Sequence, residues 1–137
     1  MKSFVLTLVF ISMVTTAISQ QASLTIFNKS NRHMTTKVMK GTERKSTLHH
    51  VVSVSPKGKQ IVYFSETGRY FTKTQAVLIS NDTLVKSDTL FSKGHPFEVI
   101  SDNRGYSNIT MKFKVKESKK PISTGAFPIT RKEYEHD

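Results

Sequence analysis

Apolar and polar residues alternate along short segments of the chain, a pattern typical of β-strands with one face in a core. The clearest case is residues 109–116, where the alternation holds at all eight positions. One face of this strand would carry Ile109, Met111, Phe113 and Val115. An α-helix would distribute these side chains around its circumference, so the segment predicts a strand.

Other strands are expected where β-branched and aromatic residues cluster. These segments are residues 24–26, 48–54, 61–64, 70–79 and 97–99. Within 48–54, alternation assigns one face to Leu48, His50, Val52 and Val54. Residues 81–92 are compatible with one bent strand or with two short ones around Leu84-Val85 and Leu90-Phe91.

Turn signals separate these strands. Ser55-Pro56-Lys57-Gly58 predicts a turn with Gly58 at positive φ, and the flanking strands make it a candidate β-hairpin. No long segment has helical periodicity. We therefore predict an all-β fold, a sandwich or a barrel, and favour a single antiparallel β-sandwich.

The first residues have the organisation of a secretory signal peptide. Lys2 precedes an uncharged apolar run over residues 4–14, and Ala17-Ile18-Ser19 supplies small residues for cleavage after Ser19. The run is shorter than the ~20 residues of a transmembrane helix. We therefore expect an exported protein, secreted or periplasmic, with a signal peptide over 1–19 and a β-domain over 20–117.

The segment 118–137 breaks the alternation, and Pro121 and Pro128 disfavour strand pairing. Thr130-Arg131-Lys132-Glu133 fits a helix capping box, although any helix there would be short. We expect an extended or mobile tail, with Phe127 and Ile129 as the residues able to pack on the domain.

Glu66-Thr67-Gly68-Arg69-Tyr70 resembles the tyrosine corner of immunoglobulin-like and fibronectin type III-like sandwiches. The resemblance implies that the Tyr70 hydroxyl bonds to upstream backbone, and it implies a fold but no function. The cysteine of antibody domains is replaced by Thr72, and the chain has no tryptophan. A hairpin turn with Gly68 at positive φ is the alternative.

The composition argues against several kinds of catalytic site. With no cysteine, the chain lacks thiolate nucleophiles, thiolate metal sites and disulfides. No nucleophile elbow, zinc-protease helix or phosphate-binding loop motif occurs. We predict a non-catalytic protein without a cofactor. The alternative is a small hydrolase or metal-dependent enzyme that uses His33, His49, His50 or His95.

The formal net charge of +11, with Lys+Arg 21 against Asp+Glu 10, is the strongest lead to a partner. Removal of residues 1–19 takes away Lys2 and lowers the charge by one. On the strand 109–116, the polar face carries Thr110, Lys112, Lys114 and Lys116, and Lys119 and Lys120 follow. This lysine row would suit an anionic glycan or envelope polymer. Alternatively, lysines on an exposed edge strand prevent aggregation.

Nucleic acid is a less favoured partner because no aromatic residue that could stack on bases interleaves with these lysines, since Phe113 belongs to the opposite face. A further alternative is a structural subunit that joins a larger assembly by strand addition. Three glycosylation sequons occur, at Asn28, Asn81 and Asn108.

Overall fold

The computed structural model describes residues 21–78 and 89–137. The predicted signal peptide, the Leu84-Val85 strand and the Asn81 sequon lie outside these residues. The described chain is mainly β-structure, which confirms the all-β prediction. Its elements are β1 Ala22–Asn28, β2 His33–Gly41, β3 Ser46–Val54, β4 Lys59–Phe64, β5 Gly68–Val77, β6 Thr89–Lys93, β7 Phe97–Val99, β8 Ser101–Asp102, β9 Gly105–Tyr106, β10 Asn108–Lys116, β11 Ile122–Thr124, β12 Phe127–Pro128 and α1 Arg131–Glu135.

The long strands form two sheets. The four-stranded sheet has the order β11-β10-β1-β4, and the six-stranded sheet has the order β12-β6-β5-β2-β3 with β7 also paired to β5. β8 and β9 form a separate hairpin. Pairing between β1 and β10 is parallel, so the prediction of a purely antiparallel arrangement is wrong at this pair. Parallel strands need a long crossover, and here nearly the whole domain connects the two.

One hydrophobic cluster draws buried side chains from both sheets. From the four-stranded sheet it includes Leu24, Ile26 and Phe64, and from the six-stranded sheet Val38 and Tyr70. Burial of each such side chain contributes roughly 1.5–3 kcal/mol to folding. Without disulfides in the chain, this cluster and the strand pairing supply the stabilising contacts.

β3 departs from the predicted alternation because its pairing with β2 shifts register next to His49. His50 pairs with Val38 and Leu48 pairs with Met39, so His49 is the extra residue of a β-bulge. The bulge places Leu48 opposite Met39, on the other face from Val52 and Val54, so its assignment to their face is wrong. His50 keeps that face, opposite Val38, but its side chain is exposed.

The turn at Ser55-Pro56-Lys57-Gly58 forms, but it does not close a hairpin. The Gly58 N–H donates to the Ser55 carbonyl at 2.9 Å, and the positive φ of 62° belongs to Lys57 rather than Gly58. β3 pairs with β2 and β4 with β1, so the turn carries the chain from one sheet to the other. The prediction that the two strands flanking this turn pair with each other is therefore wrong.

The corner at Glu66-Tyr70 also connects the sheets, because β4 and β5 belong to different ones. The buried Tyr70 donates its hydroxyl to the Glu66 carbonyl at 2.8 Å. Gly68 does not have the positive φ that the hairpin alternative required. The local bond matches a tyrosine corner, but the sheet order differs from the immunoglobulin arrangement, in which the first two strands pair.

The last twenty residues, expected to be extended or mobile, contact both sheets: β11 pairs with β10 of the four-stranded sheet, and the residues after it pack against the six-stranded sheet. β12 pairs with the edge of β6, and Thr130 caps α1 by accepting from the Glu133 N–H at 3.1 Å. Tyr134 is buried against Phe91, with a ring-centroid separation of 5.4 Å. No helix in the described residues has the length and hydropathy to cross a membrane.

Candidate binding surface

The alternation on β10 is as the sequence predicts. Lys112, Lys114 and Lys116 are exposed, whereas Phe113 between them is buried in the core. Within the described residues, β1 pairs with residues 108–113 of β10 and β11 pairs with residues 114–116, so each part of β10 has a partner strand on one side only. The alternative that these lysines protect a sheet edge therefore still applies.

Lys119 and Lys120 lie beyond Lys116, in the connection from β10 to β11. The Ser118 hydroxyl shapes this connection by donating to the Lys120 carbonyl at 2.9 Å. Both lysine side chains are exposed. The five lysines predicted from the sequence thus occupy one end of the four-stranded sheet and the turn next to it.

The pairing of β1 with β10 and with β4 brings further residues next to the lysines predicted from the sequence. Phe27 of β1 pairs with Lys112 on one side and with Lys59 of β4 on the other. The Lys29 ammonium lies over the Phe27 ring, 5.2 Å from its centroid, within cation–π range. An aromatic ring therefore does lie between these lysines in space, which corrects the expectation drawn from their order in the sequence.

We call this set, Phe27, Lys29, Lys59, Lys112, Lys114 and Lys116, the cationic face. No acidic residue occurs in β1, β4, β10 or β11. Alternate residues on a strand are about 7 Å apart and neighbouring strands about 4.8 Å apart. The cationic face therefore presents ammonium groups in two dimensions rather than along one line.

The ion pairs in the described residues lie elsewhere on the domain. Five carboxylates pair with cations outside the cationic face: Glu117 with Arg32, Asp137 with Lys37, Glu66 with Lys40, Glu43 with Lys93, and Asp102 with Arg104. Lys59, Lys112, Lys114 and Lys116 have no ion pair within residues 21–78 and 89–137. Their charge is therefore directed to solvent.

These ion pairs shift the titration of the carboxylates. The hydrogen bond from Lys40 holds the pKa of Glu66 below its usual value, and the one from Lys93 does the same to the pKa of Glu43. Arg104 lowers the pKa of Asp102 most strongly, through side-chain and backbone hydrogen bonds. Glu43 and Glu66 are exposed and Asp102 is partly exposed, so solvent screening keeps their contribution to stability small.

A second row of lysines crosses the six-stranded sheet but is covered. Lys37, Lys73 and Lys93 pair in register across β2, β5 and β6. Lys37 donates to the Tyr134 carbonyl at 3.0 Å, and Lys73 donates to the Glu133 carbonyl at 2.9 Å and to that of His136. Burial, followed by repulsion from Lys37, lowers the pKa of Lys73. Lys37 and Lys73 thus hold the C-terminal helix in place, whereas Lys93 pairs with Glu43.

The histidines of the alternative enzyme hypothesis do not form a shared site. His49 stacks on Phe64 at a centroid separation of 5.0 Å, and its Nε2 lies 3.1 Å from the Tyr63 carbonyl oxygen. His50 is exposed, and His95 packs its ring on Phe127 at 4.7 Å. In the described part of the chain, including the exposed His33, no three His, Asp or Glu side chains are placed to hold a metal ion.

Two of the three sequons lie in the described residues and have opposite environments. Asn28 is fully buried, and its Nδ2 donates to the carbonyls of Arg32, Val54 and Ser55 at 2.7–3.3 Å. A glycan on this nitrogen is incompatible with the folded domain. Asn108 is exposed and accepts one hydrogen bond from the Ser23 hydroxyl at 3.0 Å.

No protein-family model matches the chain, and no curated protein resembles it at a significant level.

Proposed function

We propose that the protein is an exported, non-catalytic β-domain whose cationic face binds an anionic polymer, a glycan or an envelope polymer outside the cytoplasm. The supporting observation is the strand register that places Phe27 between Lys112 and Lys59 on a face whose strands contain no acidic residue. Export is part of the proposal and is based on the signal-peptide pattern of residues 1–19.

We also propose that the two sheets stack as a β-sandwich. The shared hydrophobic cluster supports this arrangement, since it joins side chains of β1 and β4 to those of β2 and β5. In a sandwich each sheet has one buried and one outward face. The cationic face would then be the outer surface of the four-stranded sheet, with no other layer over it.

Charge density is the physical basis for polymer binding. A polyanion carries repeated charges, so it can contact several ammonium groups at once, and its counterions are released on binding. Unpaired lysines keep their full attraction, whereas Lys37 and Lys93 already face carboxylates. The cationic face is therefore the part of the described surface where a polyanion would gain most and displace no internal ion pair.

The test is binding of the purified domain to a sulfated polysaccharide as a function of salt. The triple variant Lys112→Gln, Lys114→Gln, Lys116→Gln removes three exposed charges. At ~0.5 kcal/mol for each exposed ion pair it loses ~1.5 kcal/mol, or about tenfold in affinity. The matched control is Arg44→Gln, Lys45→Gln, Lys132→Gln, which removes the same charge from exposed positions outside the cationic face.

Affinity should also decrease steeply as salt increases to ~0.5 M, where the screening length is roughly 4 Å. Equal losses in the two triple variants would show that net charge alone attracts the polymer, and would overturn the assignment to the cationic face. Binding that does not change with salt would overturn the electrostatic basis altogether.

A further inference from the structure

The side of β10 that faces away from β1 is only partly paired. β11 pairs with Lys114, Val115 and Lys116 and extends no further along β10. In the residues the structure describes, no strand lies on that side of residues 108–113. This segment therefore presents a free strand edge next to a paired one, and free edges are templates for pairing with another chain.

The hydrogen bonds to β1 show which backbone groups face the free edge. The Ser107 carbonyl accepts from the Ser23 N–H at 2.9 Å, and the Phe113 carbonyl accepts from the Lys29 N–H at 2.8 Å. Successive residues of a strand direct these groups to opposite sides. The N–H and C=O groups of Thr110 and Lys112 therefore point away from β1, toward the free edge.

A cleft of about 340 Å³ opens between the sheets beside this edge. On the β10 side it is lined by Ile109, Met111 and Phe113, and on the other side by Thr72, Thr74 and Ser92. Ile109 and Met111 lie on the core-facing side but remain only partly buried. The cleft thus occupies the position where the core-facing side chains of one more strand would pack.

The outward side of the same edge favours acidic residues. Thr110 and Lys112 are exposed, and directly opposed charges of opposite sign stabilise a strand pair. Within this chain, the described strands contain acids only at Glu98 of β7 and Asp102 of β8, each in a strand of three residues or fewer. Among its described strands, a second copy therefore offers none with the required pattern.

We propose that the free edge of β10 accepts an extended segment of a partner protein in which apolar and acidic residues alternate. Its backbone would pair with Thr110 and Lys112, its apolar side chains would enter the cleft, and its acidic side chains would face Lys112. Backbone pairing supplies affinity, and the cleft supplies selectivity for alternate side chains. This partner is distinct from the anionic polymer proposed above.

The test uses the full chain and a short fluorescein-labelled peptide in which valine and glutamate alternate. The control peptide has the same composition in two blocks, so its charge is identical but its alternation is lost. Fluorescence polarisation should show the alternating peptide binding about tenfold more tightly or better. Equal binding of the two peptides would overturn the proposal, because net charge would then explain it.

Thr110→Pro removes an N–H from the free edge and leaves the bonds to β1 intact, a position where strands tolerate proline. It should reduce peptide affinity about tenfold while circular dichroism, thermal midpoint and polysaccharide binding stay as in the wild type. As a second variant, Ala126→Phe places a ring at the rim of the cleft and should weaken the peptide in the same way.

If folded Thr110→Pro binds the alternating peptide as the wild type does, the edge is not the site and the proposal is wrong. A dimer that Thr110→Pro dissociates would make a second copy the occupant and would overturn the proposal. Decanoate, a fatty acid, serves as an apolar probe of the cleft. If decanoate binds there and the alternating peptide does not, the proposal is also overturned. Because polysaccharide binding is measured on the same variants, failure of this proposal and failure of the polymer proposal are distinguishable.

Discussion

Substitution of Asn28 by alanine tests the packing at the junction of the two sheets. The side chain is fully buried at the end of β1. Its Nδ2 is shared among the carbonyls of Arg32, Val54 and Ser55, and its Oδ1 accepts from the Ser30 N–H at 3.0 Å and the Ser30 hydroxyl at 2.6 Å. One amide thus joins the loop after β1 to the turn after β3.

Alanine at this position leaves buried polar groups without their partner. Each unsatisfied buried group costs ~1–3 kcal/mol. We count three groups at ~1 kcal/mol each: the Ser30 N–H, the Ser30 hydroxyl and the Arg32 carbonyl, whose bond to Asn28 is the shortest of the three carbonyl bonds. The carbonyls of Val54 and Ser55 are left out because they can accept from neighbours. The expected loss is ~3 kcal/mol, a large fraction of the ~5–15 kcal/mol that holds a domain folded. Asn28→Asp should be at least as destabilising, because a carboxylate oxygen would face three carbonyl oxygens.

Urea unfolding followed by circular dichroism measures this effect in a chain that has no tryptophan. With a slope of ~1.5 kcal/mol per molar urea, the Asn28→Ala midpoint should decrease by ~2 M. Asn108→Ala is the matched control, because Asn108 is exposed and makes one side-chain hydrogen bond, and its effect should stay within ~0.5 kcal/mol. Coinciding midpoints for the two variants would refute the reasoning.

Three further predictions follow from individual contacts. Tyr70→Phe loses the hydroxyl bond to the Glu66 carbonyl and should lower the free energy of unfolding by ~1 kcal/mol; an unchanged urea midpoint would contradict this. Tyr134→Ala removes the buried ring of α1, so trypsin should cleave faster at Arg131, and equal cleavage rates in mutant and wild type would contradict docking of the helix. Because the folded-state pKa of Glu66 lies below its ordinary value of 4.5, the stabilisation is present above that pH and is lost as pH falls through the folded-state pKa. In Lys40→Met the acid-dependent decrease in the urea midpoint should be smaller, and an identical decrease would contradict the assigned cause.

β10 could be predicted from the sequence because its burial depends on local alternation alone. β2 could not, although it pairs with both β3 and β5 inside the six-stranded sheet. Thr36 is fully buried there and is satisfied by the Thr74 hydroxyl at 3.1 Å, and Lys37 on its outward side is covered by the C-terminal residues. From the sequence, both polar residues would be predicted to be exposed, because the residues that cover or bond them are distant in the chain.

The cationic face likewise combines residues that local sequence predicts with residues that it does not. Lys112, Lys114 and Lys116 are two residues apart on one strand, so strand geometry alone places them together. Phe27 and Lys59 join them only through the register of β1 with two other strands. No local pattern encodes that register, so the sequence led to the opposite conclusion about aromatic residues among the lysines.

The placement of the acids favours a binding surface over charge kept only for solubility. Solubility requires a net charge away from zero, and any distribution of the lysines satisfies it. In the described residues, however, five carboxylates pair with cations outside the cationic face, and the strands beneath that face contain none. Exposed cations also lie elsewhere, Arg44, Lys45 and Lys132 among them, but on the cationic face no acidic residue of the same strands offsets the destabilising repulsion between neighbouring lysines. A partner that carries negative charge would relieve that repulsion, and on this basis we propose that the cationic face is a binding surface.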